Sequence, residues 1–227
     1  MKNLRALQQA IIQCRLCPRL VNHREQIARK KRRQFMDWTY WGRPVPSFGD
    51  PKARLLLIGL APAAHGGNRT GRIFTGDRSG DWLFRALYEA GFANQPVSIH
   101  REDGLVLKDC YITAVIHCAP PYNRPTRKEI MNCRTYLLDE IRMLKQVQVV
   151  VALGRIAFDN YLAACEVLGC PKPFPRPRFG HGRHYRLDHG VTLIASYHPS
   201  QQNTLTGRLT RPMFRSIFTK VRRMLGG

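Results

Sequence analysis

The chain has 227 residues, of which 44% are hydrophobic and 23% charged, and this composition excludes a disordered or low-complexity polymer. No apolar run reaches the roughly 20 residues needed to span a bilayer, and the N-terminus lacks the layout of a signal peptide, so we expect a cytoplasmic protein with no membrane partner. The formal net charge is +22, from 37 Lys and Arg against 15 Asp and Glu, which favours a nucleic-acid partner over a merely solvated basic surface.

The hydrophobic pattern predicts strands that alternate with helices. Four short, apolar and partly β-branched segments predict buried strands at residues 54–59, 110–117, 147–154 and 191–197. Helices are predicted at residues 81–90, from 126 to about 144, at 155–164 and from about residue 212. This alternation predicts a three-layer α/β/α fold with a central, mainly parallel four-stranded sheet. Residues 1–227 would form a single domain, with residues 1–50 as an N-terminal extension.

The positive charge is concentrated in three regions of the sequence. Residues 1–34 contain ten Lys or Arg and a single acid, Glu25, residues 171–186 contain five and no acid, and residues 205–227 contain six. Regions that are separated in sequence can meet on one face of a folded protein. Such a face would bind a phosphate backbone through release of its counterions.

Four of the seven cysteines form two distant pairs. Cys14 and Cys17 are a C-x2-C pair, whereas Cys118 and Cys133 are separated by fourteen residues. Four thiolates predict a shared metal centre that is either zinc or [4Fe–4S], and the irregular second spacing favours the iron–sulfur cluster. The alternative is inert, buried cysteine. That alternative suits the three remaining cysteines better, namely Cys110, Cys165 and Cys170.

Conspicuous loops follow three of the predicted strands, beginning at Gly59, His117 and Tyr197. In parallel sheets, ligands bind beyond the carboxyl ends of the strands, so the site is expected where these loops converge. Residues 59–77 are rich in small residues, which let a ligand approach the backbone. They match neither a P-loop nor a dinucleotide-binding turn. Phe74 in this loop would cover either the core or a planar base.

The motifs together resemble a known family. Residues 59–77 (GLAPAAHGGNRTGRIFTGD) look like the signature of family V (type b) uracil-DNA glycosylases, and residues 197–200 (YHPS) resemble the second motif of that superfamily. The four cysteines Cys14, Cys17, Cys118 and Cys133 match the ligands of the [4Fe–4S] cluster in families IV and V. The resemblance covers nearly the whole chain. It implies an enzyme that excises uracil from DNA.

The resemblance also implies roles for individual residues. Asp77 would stabilise the positively charged sugar or orient the attacking water, although the alternative is a helix N-cap or turn residue, a role that Asp81 suits better. His198 would donate a hydrogen bond to the base carbonyl, and Phe74 would stack on the extruded base. Asn123 is a further polar candidate or a turn former. Backbone groups would line the pocket at Gly59, Ala61, Pro62, Ala63 and Ala64.

Two positions depart from the sister families of the superfamily. Leu60 stands where those families carry a polar residue that activates water, and Ala114 stands where they carry an Asn that reads uracil. With fewer polar groups to read the base edge, discrimination between bases should loosen. We therefore expect activity on hypoxanthine and on damaged pyrimidines in addition to uracil.

Excision from duplex DNA requires the base to be flipped out of the stack. Leu205, in a loop at residues 201–208, is the candidate wedge, with Arg208 and Arg211 as phosphate contacts. The alternative is an exposed loop with an incidental leucine. No lysine in the motifs stands out as a Schiff-base nucleophile, so a monofunctional enzyme is expected. An enzyme of this size could act as a monomer.

Two other classes of function remain open on the sequence. A non-catalytic DNA- or RNA-binding module, stabilised by zinc on the four cysteines, would explain the charge and the thiols but not Phe74, Asp77 and His198. A nucleotide phosphohydrolase would need more carboxylates for Mg²⁺ than these loops contain.

Overall fold

The computed structural model describes residues 3–226, so residues 1, 2 and 227, which the predicted domain and extension include, lie outside the described part. The helices are α1 (Leu4–Gln13), α2 (Pro18–Lys30), α3 (Gly67–Thr70), α4 (Arg78–Glu89), α5 (Arg127–Met143), α6 (Arg155–Val167), α7 (Gln201–Leu205) and α8 (Arg211–Met224). The strands are β1 (Phe48–Gly49), β2 (Leu55–Gly59), β3 (Cys110–Ala114), β4 (Val149–Leu153), β5 (His184–Arg186) and β6 (Thr192–Ser196). Strands and helices alternate along most of the chain, as the sequence predicts.

The strands form one mixed sheet in the order β1-β3-β2-β4-β6-β5. The four inner strands are parallel and all their residues are buried, which explains why they are continuous apolar runs rather than alternating ones. The mainly parallel α/β sheet is confirmed. The expected number of four strands is wrong, because the short antiparallel strands β1 and β5 extend the sheet at its two edges. The second predicted strand also ends earlier, at Ala114 rather than at residue 117.

Helices cover both faces of the sheet. On one face the apolar side chains of α4 and α8, including Leu83, Phe214 and Phe218, pack in one core cluster with β2 and β3. On the other face α5 and α6 contribute a second cluster that includes Leu137 and Phe158. Burial of each such side chain stabilises the fold by about 1.5–3 kcal/mol relative to exposure. The α/β/α layering therefore follows from two separate apolar faces on one sheet.

A capping box begins α5. The Thr126 hydroxyl accepts a hydrogen bond from the Glu129 N–H at 3.2 Å, and the Glu129 carboxylate accepts one from the Thr126 N–H at 2.7 Å. The same carboxylate pairs with Arg19 of α2 at 2.8 Å. One acidic residue thus both begins α5 and fixes α2 against it.

The N-terminal helices lie against the core of the sheet domain. Helix α1 contacts α5, and α2 contacts α3. In α2, the buried Arg24 donates a hydrogen bond to the Gly42 carbonyl at 3.2 Å. The description of residues 1–50 as an extension of a single domain stays a prediction. Among residues 3–226, every helix is too short or too polar to cross a bilayer.

Candidate active site and metal centres

A cleft of about 660 Å³ opens beyond the carboxyl ends of the parallel strands. Loops that follow β2, β3, β4 and β6 form its walls. The residues predicted for the site that line it are Ala61, Ala63, Phe74, Asp77, Asn123 and His198. The topology of the sheet therefore brings together loops that are distant from one another in sequence.

Phe74 forms one surface of the cleft. Its ring lies 5.7 Å from the His198 ring, centroid to centroid, with 28° between the planes, and its side chain is only 7% exposed. Gly59, the last residue of β2, lies beneath this ring, because a Cβ at Gly59 would lie 2.9 Å from two of the ring atoms. Phe74 itself adopts a φ of 54°, which non-glycine residues adopt rarely. The backbone thus holds this ring at the carboxyl end of β2.

His198 lines the cleft and is half-buried. Removal from water penalises the imidazolium and lowers the pKa of His198 to about 4. At neutral pH the side chain is therefore a neutral imidazole with one N–H donor. The loop that holds it is fixed by Asn203, whose side-chain amide donates to the His198 carbonyl at 2.9 Å.

Asp77 caps the N-terminus of α4. Its carboxylate accepts a hydrogen bond from the Gly80 N–H at 3.0 Å, so the expectation that Asp81 suits the cap better is wrong: Asp81 lies in the first turn. Burial raises the pKa of Asp77, and the hydrogen bonds from the Gly80 and Ser79 N–H groups oppose the rise. A Cβ at Gly66 would overlap this carboxylate, which explains a glycine there. The cap role does not exclude chemistry, because the carboxylate also lines the cleft.

Arg69 is a residue beside Asp77 that the sequence reading missed. Its guanidinium lies against the rings of Phe35 and Trp38, 3.9 and 4.0 Å from their centroids, and the two rings meet edge to face. It donates hydrogen bonds to the Gly76 carbonyl at 3.0 Å and the His65 carbonyl at 2.8 Å. Its positive charge opposes the rise in the pKa of Asp77. Arg69 thus fixes the loop that ends in Asp77 and compensates its charge.

The other predicted lining residues occupy different positions. Ala61 lines the cleft, Ala63 lines both the cleft and a neighbouring cavity, and Ala64 lines only the neighbouring cavity, together with His65 and Arg32. Pro62 packs against Gly67 instead. Asn123 lies at the rim, where it and Tyr122 both have φ values near 55°, and Tyr122 is 93% exposed.

The four predicted metal-ligating cysteines line one small cavity. Cys14 ends α1, Cys17 precedes α2, Cys118 follows β3 and Cys133 lies in α5. Two side chains direct N–H groups at the sulfurs: Asn132 Nδ2 lies 3.4 Å from Cys17 Sγ, and Arg24 Nη1 lies 3.8 Å from Cys118 Sγ. Burial raises the pKa of Cys118 to about 12. A bound metal would supply the positive charge that thiolates need in this cavity.

The amino-acid sequence is similar to that of known enzymes. Residues 46–222 match the family model of the uracil DNA glycosylase superfamily. The chain belongs to this superfamily. It is 49% identical over 221 residues to a type-5 uracil-DNA glycosylase of Thermus thermophilus, which covers 97% of this chain and 98% of the relative. It is 51% identical over 214 residues to a type-5 uracil-DNA glycosylase of Mycobacterium tuberculosis, covering 94% and 78%. The resemblance to family V is confirmed.

More distant members of the superfamily share less of the sequence. A type-4 uracil-DNA glycosylase of Archaeoglobus fulgidus is 30% identical over 191 residues, covering 80% of this chain and 82% of the relative. The two expected departures from sister families concern apolar residues, Leu60 and Ala114. Leu60 lines the cleft, and the buried Ala114 pairs with Gly59 in the sheet.

The predicted DNA contacts lie on two separate surfaces. Helix α7 occupies residues 201–205 of the predicted loop at residues 201–208. Leu205, at the end of this helix, is 69% exposed. The Arg208 guanidinium lies 4.6 Å from the Tyr197 ring centroid, close to the His198 loop. Arg211 instead lies 5.1 Å from the Trp82 ring, in a groove between α4 and α8.

Two of the cysteines assigned to inert burial lie in a group that could hold a metal ion. The ligand atoms of Cys165, Cys170 and His189 all lie within 4.8 Å of one another. The sequence reading missed this group because its members come from α6, from the turn after it and from the turn between β5 and β6. Of the three cysteines outside the quartet, Cys110 alone remains a simple buried side chain at the start of β3.

Proposed function

We propose that this protein is a monofunctional uracil-DNA glycosylase, which flips uracil out of DNA and hydrolyses its N-glycosidic bond to leave an abasic site in base excision repair. The main support is the cleft in which Phe74, Asp77 and His198 meet. The similar relatives are themselves named uracil-DNA glycosylases. Among the described residues that line the cleft there is no lysine, which supports hydrolysis without a Schiff base.

The geometry supports a proposed role for each of the three side chains. Phe74 offers a ring face on which the extruded base stacks. His198 is neutral at pH 7 and donates its N–H to the base carbonyl oxygen, where negative charge develops as the base departs. Asp77 is a carboxylate within the same cleft, and it stabilises the positive charge on the sugar or orients the water that attacks it. Asn123 at the rim is a further polar contact for the substrate.

The apolar side chain of Leu60 supports a broad choice of base. Where an apolar residue meets the base edge in place of a polar one, fewer donors and acceptors are left unpaired when a different base enters, so the site discriminates weakly at that edge. We therefore propose that hypoxanthine and damaged pyrimidines are also excised. Excision of uracil at a normal rate with no detectable release of hypoxanthine from a matched oligonucleotide would contradict this part of the proposal.

DNA binding rests on the +22 charge and on the exposed residues beside the cleft. Leu205 would fill the space that the flipped base vacates, and Arg208 would contact phosphates beside the cleft. Arg211 would contact phosphates on the separate surface between α4 and α8. Leu205→Ala should then lower kcat/KM on duplex substrate about tenfold and leave single-stranded substrate unaffected, because no vacated stack exists there. An equal effect on both substrates would contradict the wedge role.

We further propose that Cys14, Cys17, Cys118 and Cys133 hold a [4Fe–4S] cluster with a structural role. The four cysteines line one small cavity, and the fourteen residues between Cys118 and Cys133, unlike the repeated C-x2-C pairs of zinc ribbons, support the cluster over zinc. Absorbance near 400 nm would support the cluster, and colourless protein would contradict it. A cytoplasmic monomer of one domain completes the proposal.

The activity is tested with a uracil-containing oligonucleotide scored for abasic sites. Asp77→Asn tests the charge of this side chain specifically, since Asn preserves the helix cap and removes only the negative charge. Asp81→Asn is the matched control, one turn later in the same helix. We expect abasic sites with wild type and Asp81→Asn and a loss of at least about 10²-fold with Asp77→Asn. No abasic sites with the wild type would overturn the proposal in favour of a non-catalytic nucleic-acid-binding module.

A further inference from the structure

The group formed by Cys165, Cys170 and His189 lies outside the cysteine quartet and outside the cleft. Its two sulfurs and imidazole nitrogen lie within 4.8 Å of one another. We propose that these residues form a second metal site, which binds Zn²⁺ and holds the base of the arginine-rich segment at residues 171–183. This inference does not depend on the glycosylase activity.

The donor set matches the chemistry of zinc. Two thiolates and one imidazole are a common ligand set for Zn²⁺, with a water in the fourth position. Soft sulfur ligands also select against Mg²⁺ and Ca²⁺, which take oxygen. The ligand atoms lie within 4.8 Å of one another, and ligand atoms in a tetrahedral zinc site lie about 3.8 Å apart. A small side-chain movement therefore completes the geometry.

The backbone holds the two cysteines near each other independently of any ion. After α6 the chain reverses through Gly169, whose φ is 81°. The Cys170 N–H then donates to the Cys165 carbonyl at 2.9 Å, which is the 6→1 hydrogen bond that commonly ends helices. Glycine is favoured at such a left-handed position. The spacing of the two thiols is therefore a property of the helix end.

The histidine is supplied by a different and equally fixed turn. Leu187 and Val191 close this turn through a 2.9 Å backbone hydrogen bond, and it places His189 over the end of α6. The Tyr161 hydroxyl of α6 lies 3.5 Å from His189 Nε2. Histidine ligands of metals are commonly oriented by such outer hydrogen bonds. A disulfide between Cys165 and Cys170 would use neither His189 nor Tyr161, which favours the metal.

The site stands at the start of a cationic surface. Residues 171–183 follow Cys170 directly and carry Arg176, Arg178 and Arg183, which line a groove with Arg155. Arg155 also lines the cleft, so the groove continues the active-site opening. The exposed Phe174, at 98%, lies in the same segment. A metal ion at its base would reduce the freedom of this segment and fix its arginines for contact with phosphates.

The test uses the purified full-length protein. Zinc is measured by elemental analysis, and Co²⁺ is added after removal of zinc by a mild chelator, because tetrahedral Co²⁺–thiolate sites absorb in the red part of the visible spectrum, away from the main cluster band. We expect about one zinc per chain and these Co²⁺ bands in the wild type. Both should be lost in Cys165→Ala and in His189→Ala, and Tyr161→Phe should weaken Co²⁺ binding at least about tenfold.

Controls separate the second site from folding and from the quartet. His184→Ala removes a nearby exposed histidine and Cys110→Ala removes a buried thiol outside the group, and both should keep zinc and the Co²⁺ bands. Absorbance near 400 nm should be unchanged in all of these variants, which shows that the fold and the cluster persist. Wild type without zinc or Co²⁺ bands would overturn the proposal. So would a Cys165–Cys170 disulfide, seen as a mass about two units lower than that of the dithiol.

Discussion

Glu140 of α5 is a buried acid whose ionisation should set the pH dependence of stability. The Thr113 hydroxyl donates to its Oε2 and in turn accepts from the Ser47 hydroxyl at 3.0 Å, while Oε1 has no partner among the residues described. Burial raises the pKa of Glu140 from 4.5 to about 7. The folded protein therefore binds this proton more tightly than the unfolded chain does.

The consequence is a loss of stability as the pH rises. Between the unfolded pKa of 4.5 and the folded pKa of about 7, the free energy of unfolding should fall by about 3 kcal/mol, at 1.36 kcal/mol for each pKa unit. Glutamine has the shape of the protonated acid and does not titrate. Glu140→Gln should therefore match wild type at about pH 4.5 and exceed it by about 3 kcal/mol at about pH 8.

Thermal unfolding of the intact protein measures this difference. For a chain of this length, about 3 kcal/mol corresponds to a Tm difference of about 6–12 °C at about pH 8. Glu102→Gln, at an exposed acid, is the matched control and should leave the pH profile unchanged. A Tm difference between Glu140→Gln and wild type that is the same at low and high pH would refute the reasoning.

Three further predictions concern the cleft and the cluster. Gly59→Ala places a methyl group 2.9 Å from the Phe74 ring and should displace that ring. Single-turnover excision of uracil should therefore slow by about 10²-fold, while Tm would fall by only a few degrees. Unchanged kinetics would contradict the role of the ring. Arg69→Leu removes a positive charge that lowers the pKa of Asp77, so the acidic limb of the kcat/KM–pH profile should move to higher pH; a shift to lower pH would exclude Asp77 as its origin. Cys133→Ala should abolish absorbance near 400 nm and lower Tm by about 5 °C or more. In steady-state kinetics on a uracil-containing oligonucleotide, it should raise KM for DNA more than it changes kcat.

The inner strands were predictable because each is a continuous apolar run that fits only a sheet covered on both faces. The edge strands were not, because Phe48–Gly49 and His184–Arg186 are two and three residues long and partly exposed. Patterns of two or three residues have no readable period. Their pairing is set by neighbours distant in sequence.

The site residues divide in a similar way. Phe74 and His198 were identified from motifs, and the sheet places them 5.7 Å apart. The cap at Asp77 was assigned to the wrong aspartate, because α4 begins three residues earlier than its apolar pattern indicates. Arg69 against two rings and the Cys165–Cys170–His189 group were missed, because both depend on segments that only the tertiary fold brings together.

The two rings that pack against Arg69 belong to Phe35 and Trp38, in the segment that follows α2. Translation from the internal Met36 would therefore give a chain that keeps every motif residue of the cleft but lacks Phe35 and the C-x2-C pair. Such a product would still match the family by its motifs, and yet it would lack one of the two rings that secure the loop ending in Asp77. A match to the motifs alone would therefore not distinguish such a shortened product from the chain that retains the support of Asp77.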